Sequence, residues 1–322
     1  MVAIKENLQD VSVDDLIRVA TDFESTCKTI NRMMNQSSQR YNTDGTYIFQ
    51  EEWDNLILLD SCRYDYFSKM CTLDGKLESR TSRGSSSVEF IRGNFQGPDQ
   101  LDTIYVSANS WYQKISEELG DDRSDVFLFD RVHSESKREQ GEVRTWCENV
   151  TEQALKRHKE YPNKRLIIHY MPPHFPYVDK TGDVLIDLKN EHETDTYLNS
   201  FHRSSDRPGY VTKEEIRDAY ESSVYYILNH ITELLDELDG LTVISADHGE
   251  LLAERSQPIP IIETAHPEGV YLDQLAKVPW FKIRDGERRN IIKEKSPHKS
   301  MEGSKVVTSE LNNQLRDLGY KV

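Results

Sequence analysis

Carboxylate and imidazole side chains follow three short apolar runs in this chain of 322 residues. Side chains of these two types, held close together, are ligands for divalent metal ions. The apolar runs lie at 56–59, 166–168 and 241–244, and the polar residues that follow them are Asp60, His169, His174, Asp247 and His248. If the runs are neighbouring parallel strands, their carboxyl ends meet at one edge of a sheet, where ligands bind. Mixed oxygen and nitrogen donors suit Zn²⁺ or Mn²⁺, and a site dominated by carboxylates also suits Mg²⁺.

Each of these residues alone also has a purely structural explanation. Asp60 and Asp247 both stand where the N-cap of a following helix would stand. His169 lies at the end of an apolar run and is typical of a hydrogen-bonded core histidine. His174 stands among prolines, which excludes regular helix and central strand and favours a rigid loop. The pair of Asp247 and His248 is the strongest signal, because two ligand types adjoin in one loop.

A serine-rich segment at 79–90 offers hydroxyl groups for nucleophilic chemistry. A serine hydroxyl is a poor nucleophile near neutral pH unless a base or a metal ion activates it. The carboxylates and imidazoles described above would hold such an ion, so the functional interpretation is a metal-activated serine. The structural interpretation is a flexible polar loop.

The alternation of apolar runs and helical patterns predicts the fold class. Five runs are continuously apolar, as in strands covered on both faces, and they lie at 56–59, 103–106, 126–129, 166–168 and 241–244. Helix-like segments between them lie at 110–119, 141–161 and 213–239. This order predicts an α/β fold with a mostly parallel sheet flanked by helices. We expect residues 1–45 to form an N-terminal helical extension and residues 46–322 to form one domain.

Composition and charge argue against several classes of protein. The chain has 56 acidic and 40 basic residues, and the net charge of −16 disfavours binding to nucleic acid or to an anionic membrane surface. No apolar run is long enough to span a membrane, and the N-terminus lacks a secretory signal pattern. The four cysteines have no metal-binding spacing and are expected to be reduced. The sequence therefore predicts an acidic surface and a cytoplasmic location, and it leaves the oligomeric state open.

Taken together, the motifs resemble the sulfatase-like branch of the alkaline phosphatase superfamily. This branch contains sulfatases and the phosphoglycerol and phosphoethanolamine transferases. The segments that carry the resemblance are 55–65 (NLILLDSCRYD), 84–90 (GSSSVEF), 173–177 (PHFPY), 246–250 (ADHGE), 266–267 (HP), 278–280 (VPW) and 314–320 (QLRDLGY). The resemblance implies an alkaline-phosphatase-like fold from about residue 53 to the end of the chain.

The resemblance also implies a reaction and a set of metal ligands. The protein would be a metal-dependent hydrolase or transferase that acts on phosphate monoesters or diesters through a serine nucleophile. Asp60, Asp247 and His248 would bind a divalent metal ion, with Zn²⁺ or Mn²⁺ favoured and Mg²⁺ or Ca²⁺ also compatible. Ser85 fits the frame of the family's nucleophile and would be the fourth ligand.

Two histidines would complete the site that the resemblance implies. His174 and His266 would contact the anionic group of the substrate or hold a second metal ion. The sequence does not settle which hydroxyl group is the nucleophile, and the candidates are Ser79, Ser85, Ser86 and Ser87.

Two departures from the family pattern bear on the reaction. Sulfatases carry a second Asp where this chain has Ser61, and no cysteine here lies in the context that is converted to formylglycine. Ser79 comes closest to that context, but Thr81 replaces the expected Pro or Ala. Both departures favour phosphate esters and leave a sulfuric ester hydrolase as the alternative.

Two further alternatives concern the kind of activity. One is a protein that binds an anionic glycan or lipid headgroup without turnover, and the other is a mutase, which would need a further ligand cluster that residues 179–210 do not show. The expected partner is therefore a phosphate or sulfate ester of a small molecule, a glycan or a lipid headgroup.

Overall fold

The computed structural model describes residues 23–35, 39–132, 142–186, 212–255 and 257–295, and a seven-stranded sheet forms its centre. The strands are β1 (Asn55–Leu59), β2 (Lys76–Thr81), β3 (Gln100–Ser107), β4 (Val126–Arg131), β5 (Arg165–Tyr170), β6 (Tyr177–Val178), β7 (Val184–Ile186), β8 (Gly240–Ser245), β9 (Leu251–Arg255), β10 (Ile262–Ala265) and β11 (Lys277–Asp285). The helices are α1 (Phe23–Asn35), α2 (Tyr64–Met70), α3 (Ser87–Asn94), α4 (Trp111–Leu119), α5 (Glu142–Glu160), α6 (Lys213–Leu235) and α7 (Asp273–Ala276). Two short 3-10 helices lie at Ile48–Gln50 and Gly120–Asp122.

The strand order across the main sheet is β2-β11-β8-β1-β5-β3-β4. Strands β8, β1, β5, β3 and β4 are parallel, and they contain the five apolar runs, so the predicted mostly parallel α/β fold is confirmed. β11 runs antiparallel to both of its neighbours, β2 and β8, and the sequence patterns did not predict this pair. β2 is a polar edge strand, and β11 contains Pro279, which is uncommon inside a sheet. Neither strand therefore shows the continuous apolar run of a buried strand.

Both faces of the sheet are covered, which explains the continuous apolarity of its strands. Along β1, Leu56 and Leu58 belong to one core cluster, whereas Ile57 and Leu59 belong to the other. Helices α3 and α4 pack on the first face, and helices α2, α5 and α6 pack on the second. These four side chains of β1 are fully buried. The carboxyl end of β1 is thus held on both sides, and Asp60 follows directly from it.

Helix α1 lies within the predicted N-terminal extension and is joined to a distant loop by a two-way amide contact. Asn31 Nδ2 donates to the carbonyl oxygen of Ile259 at 2.6 Å, and the N–H of Ile259 donates to Asn31 Oδ1 at 2.9 Å. Residues 1–22 and 296–322, which include the motif at 314–320, lie outside the described residues. The division of the chain at residue 45 stays a prediction.

Two further expectations concern the redox state of the cysteines and the presence of membrane-spanning segments. All four cysteines are free thiols, and Cys27, Cys62 and Cys147 are buried. In the part of the chain that the structure describes, no helix combines the length and the apolarity that crossing a membrane requires.

Candidate metal centre

The candidate metal centre lies where three neighbouring parallel strands end. β8, β1 and β5 are adjacent in the sheet, so the loops that follow them meet at one edge. Asp60 follows β1, Asp247 and His248 follow β8, and His169 is the penultimate residue of β5. The convergence that the sequence predicted for these side chains is present in the structure.

The ligand atoms of Asp60, Asp247 and His248 lie within 4.8 Å of one another, and all three side chains are fully buried. His248 Nε2 is 3.6 Å from Asp60 Oδ1 and 3.4 Å from Asp247 Oδ2. His248 Nδ1 lies 2.7 Å from the carbonyl oxygen of Gly249, which can only accept a hydrogen bond. Nδ1 therefore carries the hydrogen atom, and Nε2 directs its lone pair at the two carboxylates, as in a metal-binding histidine.

The two carboxylates create a local excess of negative charge that a cation would offset. Burial and the charge of Asp247 raise the pKa of Asp60 well above its usual range. Neutral groups supply the hydrogen bonds, since Asn109 Nδ2 donates to Asp60 Oδ2 at 2.8 Å and the N–H of Ser61 donates to Asp247 Oδ1 at 3.1 Å. Buried carboxylates normally pair with a cation or bind a metal ion. The donor set of two carboxylates and one imidazole therefore fits a divalent ion such as Zn²⁺ or Mn²⁺.

Ser87 places its hydroxyl group at this cluster. Its Oγ donates to Asp247 Oδ2 at 2.6 Å, and it lies 3.2 Å from Asp60 Oδ2 and 3.4 Å from His248 Nε2. Asn109 Nδ2 donates to the same Oγ at 3.1 Å. Ser87 is also the first residue of helix α3, where backbone N–H groups and the helix dipole favour a bound anion.

The structure does not bring Ser85 to the cluster. Its Oγ lies 2.8 Å from Glu89 Oε2 and 2.8 Å from the carbonyl oxygen of Pro267. Ser86 is the N-cap of α3, where its side chain accepts a hydrogen bond from the N–H of Glu89. The helix begins at Ser87, so the side chain that faces the sheet edge is two residues beyond the one that the family's motif frame indicated. The geometry thus places the hydroxyl group of Ser87, and not that of Ser85, at the carboxylates of the candidate metal centre.

His174 and His266 form a second layer beside the cluster. The ring centroids of His266 and His248 are 4.5 Å apart, and those of His266 and His174 are 5.2 Å apart. The cis-proline segment after β5 carries His174, whose backbone N–H donates to the carbonyl oxygen of Asp60 at 3.0 Å. The structure therefore brings together five of the six site residues that the sequence indicated.

The two histidines of this layer differ in charge. Burial lowers the pKa of His266, but the carboxylate of Glu250, 2.9 Å from its Nδ1, overcomes this and raises the pKa to about 8. Burial, together with the charge of His266, lowers the pKa of His174 to about 3. His174 Nδ1 lies 2.7 Å from the carbonyl oxygen of Phe175, so its Nε2 presents a lone pair. In the absence of a bound cation, the layer therefore contains one imidazolium and one neutral imidazole at neutral pH.

Asn109 lies at the cluster and was not indicated by the sequence, and His169, which the sequence favoured as a core histidine, also faces it. Asn109 follows the carboxyl end of β3, and the same rule that located Asp60 would have found it. His169 is only half satisfied as a core histidine, because its Nδ1 lies 2.8 Å from the hydroxyl of Tyr105 while its Nε2 has no hydrogen-bond partner. That Nε2 lies 3.7 Å from Asp60 Oδ2 and 3.8 Å from Asp247 Oδ2.

Ser79, the residue that a sulfatase would use by analogy, lies elsewhere. It is an exposed residue of edge strand β2, paired in register with Pro279 of β11. Its neighbours on the strand, Glu78 and Arg80, form ion pairs at the surface of the sheet.

Comparison with known proteins gives structural likenesses only. No protein-family profile matches the chain, and no curated protein matches it in sequence. The chain is similar to the C-terminal periplasmic domain of EcEptC from Escherichia coli, with 13% identity, a TM-score of 0.44 and 74% of each chain covered. It is similar to the soluble domain of lipooligosaccharide phosphoethanolamine transferase A from Neisseria meningitidis, with 13% identity, a TM-score of 0.41, and 70% of this chain and 75% of that chain covered.

A third similar structure is a 2-O GAG sulfatase, with 13% identity, a TM-score of 0.43, and 84% of this chain and 72% of that chain covered. These are proteins of the kinds that the motifs resembled.

Proposed function

We propose that the protein is a metal-dependent enzyme that hydrolyses or transfers phosphate ester groups, with Ser87 as its nucleophile. The observation that carries this proposal is the position of the Ser87 hydroxyl at a buried cluster of two carboxylates and an imidazole. Asp60, Asp247 and His248 would hold the divalent ion, and Ser87 would complete the ligand set. When bound, such an ion lowers the pKa of a coordinated hydroxyl group and offsets charge on a phosphoryl oxygen.

The residues around Ser87 suit an in-line displacement at phosphorus. Asp247 accepts the hydrogen bond of the Ser87 hydroxyl, and Asn109 donates to its oxygen, so the attacking lone pair has a fixed direction. The Ser87 hydroxyl gives its proton to Asp247, and its Oγ forms a bond to phosphorus as the ester P–O bond breaks, while the alcohol leaves with a proton from a neighbouring acid. Water or an acceptor alcohol then displaces the phosphoryl group from Ser87.

His266 is the residue suited to supply the proton and to pair with phosphoryl oxygens. Its protonated ring holds one N–H toward Glu250, and the ring lies next to those of His174 and His248. A positioned acid whose pKa lies near the working pH is effective in protonating a leaving group. His174, held neutral by burial, would accept a hydrogen bond from the substrate or from a water molecule.

The second candidate, a sulfuric ester hydrolase, lacks a comparable arrangement. Its nucleophile would be Ser79, and that side chain is exposed on edge strand β2. The hydroxyl at the cluster is an unmodified serine in a sequence that does not match the formylglycine context. Phosphate esters are therefore the favoured substrate class, and the alcohol part of the ester stays unassigned.

Parallel assays on an aryl phosphate, a bis-aryl phosphate and an aryl sulfate test this proposal. We expect at least one phosphate ester to be turned over in the presence of Zn²⁺ or Mn²⁺, and the aryl sulfate to be turned over far more slowly, because an unmodified serine is suited to phosphoryl transfer. A preference for the aryl sulfate would identify a sulfatase instead. Tight binding of the esters without any release of aryl alcohol would identify a non-catalytic binding protein.

A further inference from the structure

A buried carboxylate, Glu89, connects the helix that carries Ser87 to the loop that carries His266. Glu89 is 2% exposed and lies in the first turn of α3. Its Oε2 accepts from the N–H of Ser85 at 2.9 Å and from the Ser85 hydroxyl at 2.8 Å. Its Oε1 accepts from the N–H of Gly269 at 3.1 Å and from the hydroxyl of Tyr271 at 2.9 Å. Four neutral donors thus satisfy one buried carboxylate.

Ser85 extends the same connection on its other side. The N–H of Val270 donates to Ser85 Oγ at 3.3 Å, and the carbonyl oxygen of Pro267 lies 2.8 Å from that Oγ. The single hydroxyl hydrogen serves either Pro267 or Glu89 at one time. We call Ser85, Glu89 and the loop residues that they contact, Pro267, Gly269, Val270 and Tyr271, the Glu89 bridge.

Helix capping alone does not explain the Glu89 bridge. In a capping box, a Glu at this position would return to the backbone N–H of the N-cap residue, Ser86. Glu89 instead uses one oxygen on Ser85 and gives the other oxygen entirely to the loop at 267–271. The N-cap contact of Ser86 forms independently, through its own side chain. Half of the hydrogen bonds of Glu89 therefore do not cap helix α3. They hold the loop at 267–271 instead.

We infer that Glu89 is a positioning residue that sets the distance between His266 and Ser87. The inference rests on the proposed function of these two residues. Glu89 lies two residues after Ser87 in the same helix, and the loop that it holds begins directly after His266. Glu250 holds the ring of His266 through its Nδ1. The Glu89 bridge therefore fixes the distance between His266, the proposed acid, and Ser87, the proposed nucleophile. The role of Ser85 is to complete the bridge.

A double-mutant cycle with Glu89→Gln and His266→Ala tests this inference. The amide of Gln would place an NH₂ group against N–H and O–H donors, so at least half of the bridge would be lost. We expect Glu89→Gln to lower kcat for an aryl phosphate by about 10- to 100-fold, the cost of a small misplacement, with a smaller change in KM. If Glu89 acts through His266, the double variant should match His266→Ala within about twofold. If the loss of kcat in the double variant equals the product of the losses in the two single variants, the inference is overturned.

Two controls separate positioning from general damage. Glu118→Gln removes the same charge from the exposed ion pair with Arg92 of α3, and we expect kcat within about twofold of the wild type. If Glu89→Gln does not fold, Tyr271→Phe removes one hydrogen bond of the bridge and should show the same coupling to His266 at smaller amplitude. Absence of coupling in that pair would also overturn the inference.

A structural readout keeps the inference testable without turnover. If the wild-type protein turns over no ester, the proposed function fails, while crystal structures of the wild type and of Glu89→Gln still report on the bridge. We expect the loop at 266–271 to move relative to Ser87 in the variant, with helix α3 in place. An unchanged position of His266 relative to Ser87 would contradict the bridge.

Discussion

Replacing Ser87 with alanine is expected to abolish phosphate ester turnover, by about a thousandfold or more in kcat, because the variant has no nucleophile. The hydroxyl of Ser87 lies at the carboxylates and imidazole of the metal centre, whereas that of Ser85 faces Glu89 and a backbone carbonyl group. Ser85→Ala should therefore keep turnover well above that of Ser87→Ala, with a loss comparable to that of a weakened Glu89 bridge.

Mass spectrometry of the protein during turnover identifies the nucleophile directly. Rapid acid quenching of the wild type with an aryl phosphate should trap a phosphoryl group, and peptide mapping should place it on Ser87. A phosphoryl group on Ser85 or Ser86, or full turnover by Ser87→Ala, would refute the assignment. Metal content should be measured on each variant, so that loss of the ion is distinguished from loss of the nucleophile.

Replacing Asp247 with asparagine is expected to remove both metal binding and turnover. The carboxylate supplies a ligand atom within the buried cluster and also accepts the hydrogen bond of Ser87. An amide is a weaker ligand for Zn²⁺ or Mn²⁺, and we expect kcat to fall by about a thousandfold or more. Added Zn²⁺ should raise the melting temperature of the wild type and leave that of the variant unchanged, because an ion that binds only the folded state stabilises it.

The metal-free variant offers a second readout. Burial and the charge of Asp247 raise the pKa of Asp60, but for Asp247 itself the effect of burial is outweighed by His248, His169 and the hydrogen bonds of Ser87 and Ser61, which lower its pKa. Because these effects on stability oppose each other, we expect the chelator-treated variant to melt close to the chelator-treated wild type, so that Zn²⁺ alone separates the two. Asp125→Asn, which changes a partly buried ion pair with Arg123 away from the cluster, is the matched control and should leave both metal binding and turnover intact. Full metal content and activity in Asp247→Asn would contradict the proposed site.

The sequence predicted the parallel part of the sheet and the core of the candidate metal centre for the same reason. Strands buried on both faces contain continuous apolar runs, such as Leu56 to Leu59 of β1, and the carboxylates and imidazoles that follow such runs are conspicuous. Asp60, Asp247 and His248 were found in this way, and the structure places them together. The antiparallel strand β11 was missed because it carries an internal proline and polar residues.

The choice of the serine could not be made from the sequence, because it depends on where one helix begins. Ser85, Ser86 and Ser87 are chemically identical and adjacent, and a shift of two residues exchanges a bridge residue for a nucleophile. The partners that distinguish Ser87 from Ser85 are Asp247 and Pro267, and both lie far along the chain from this segment. The structural role of Glu89 was hidden in the same way, because its loop partners are about 180 residues distant.

Metal content of the purified protein, measured together with aryl phosphate turnover on the same sample, tests the central claim most directly. The proposed site predicts bound Zn²⁺ or Mn²⁺ near one ion per chain, turnover that is lost in chelator, and recovery of both when the ion is restored. A protein that holds no metal and stays inert when Zn²⁺, Mn²⁺, Mg²⁺ and Ca²⁺ are supplied would contradict a metal-dependent reaction at Asp60, Asp247 and His248.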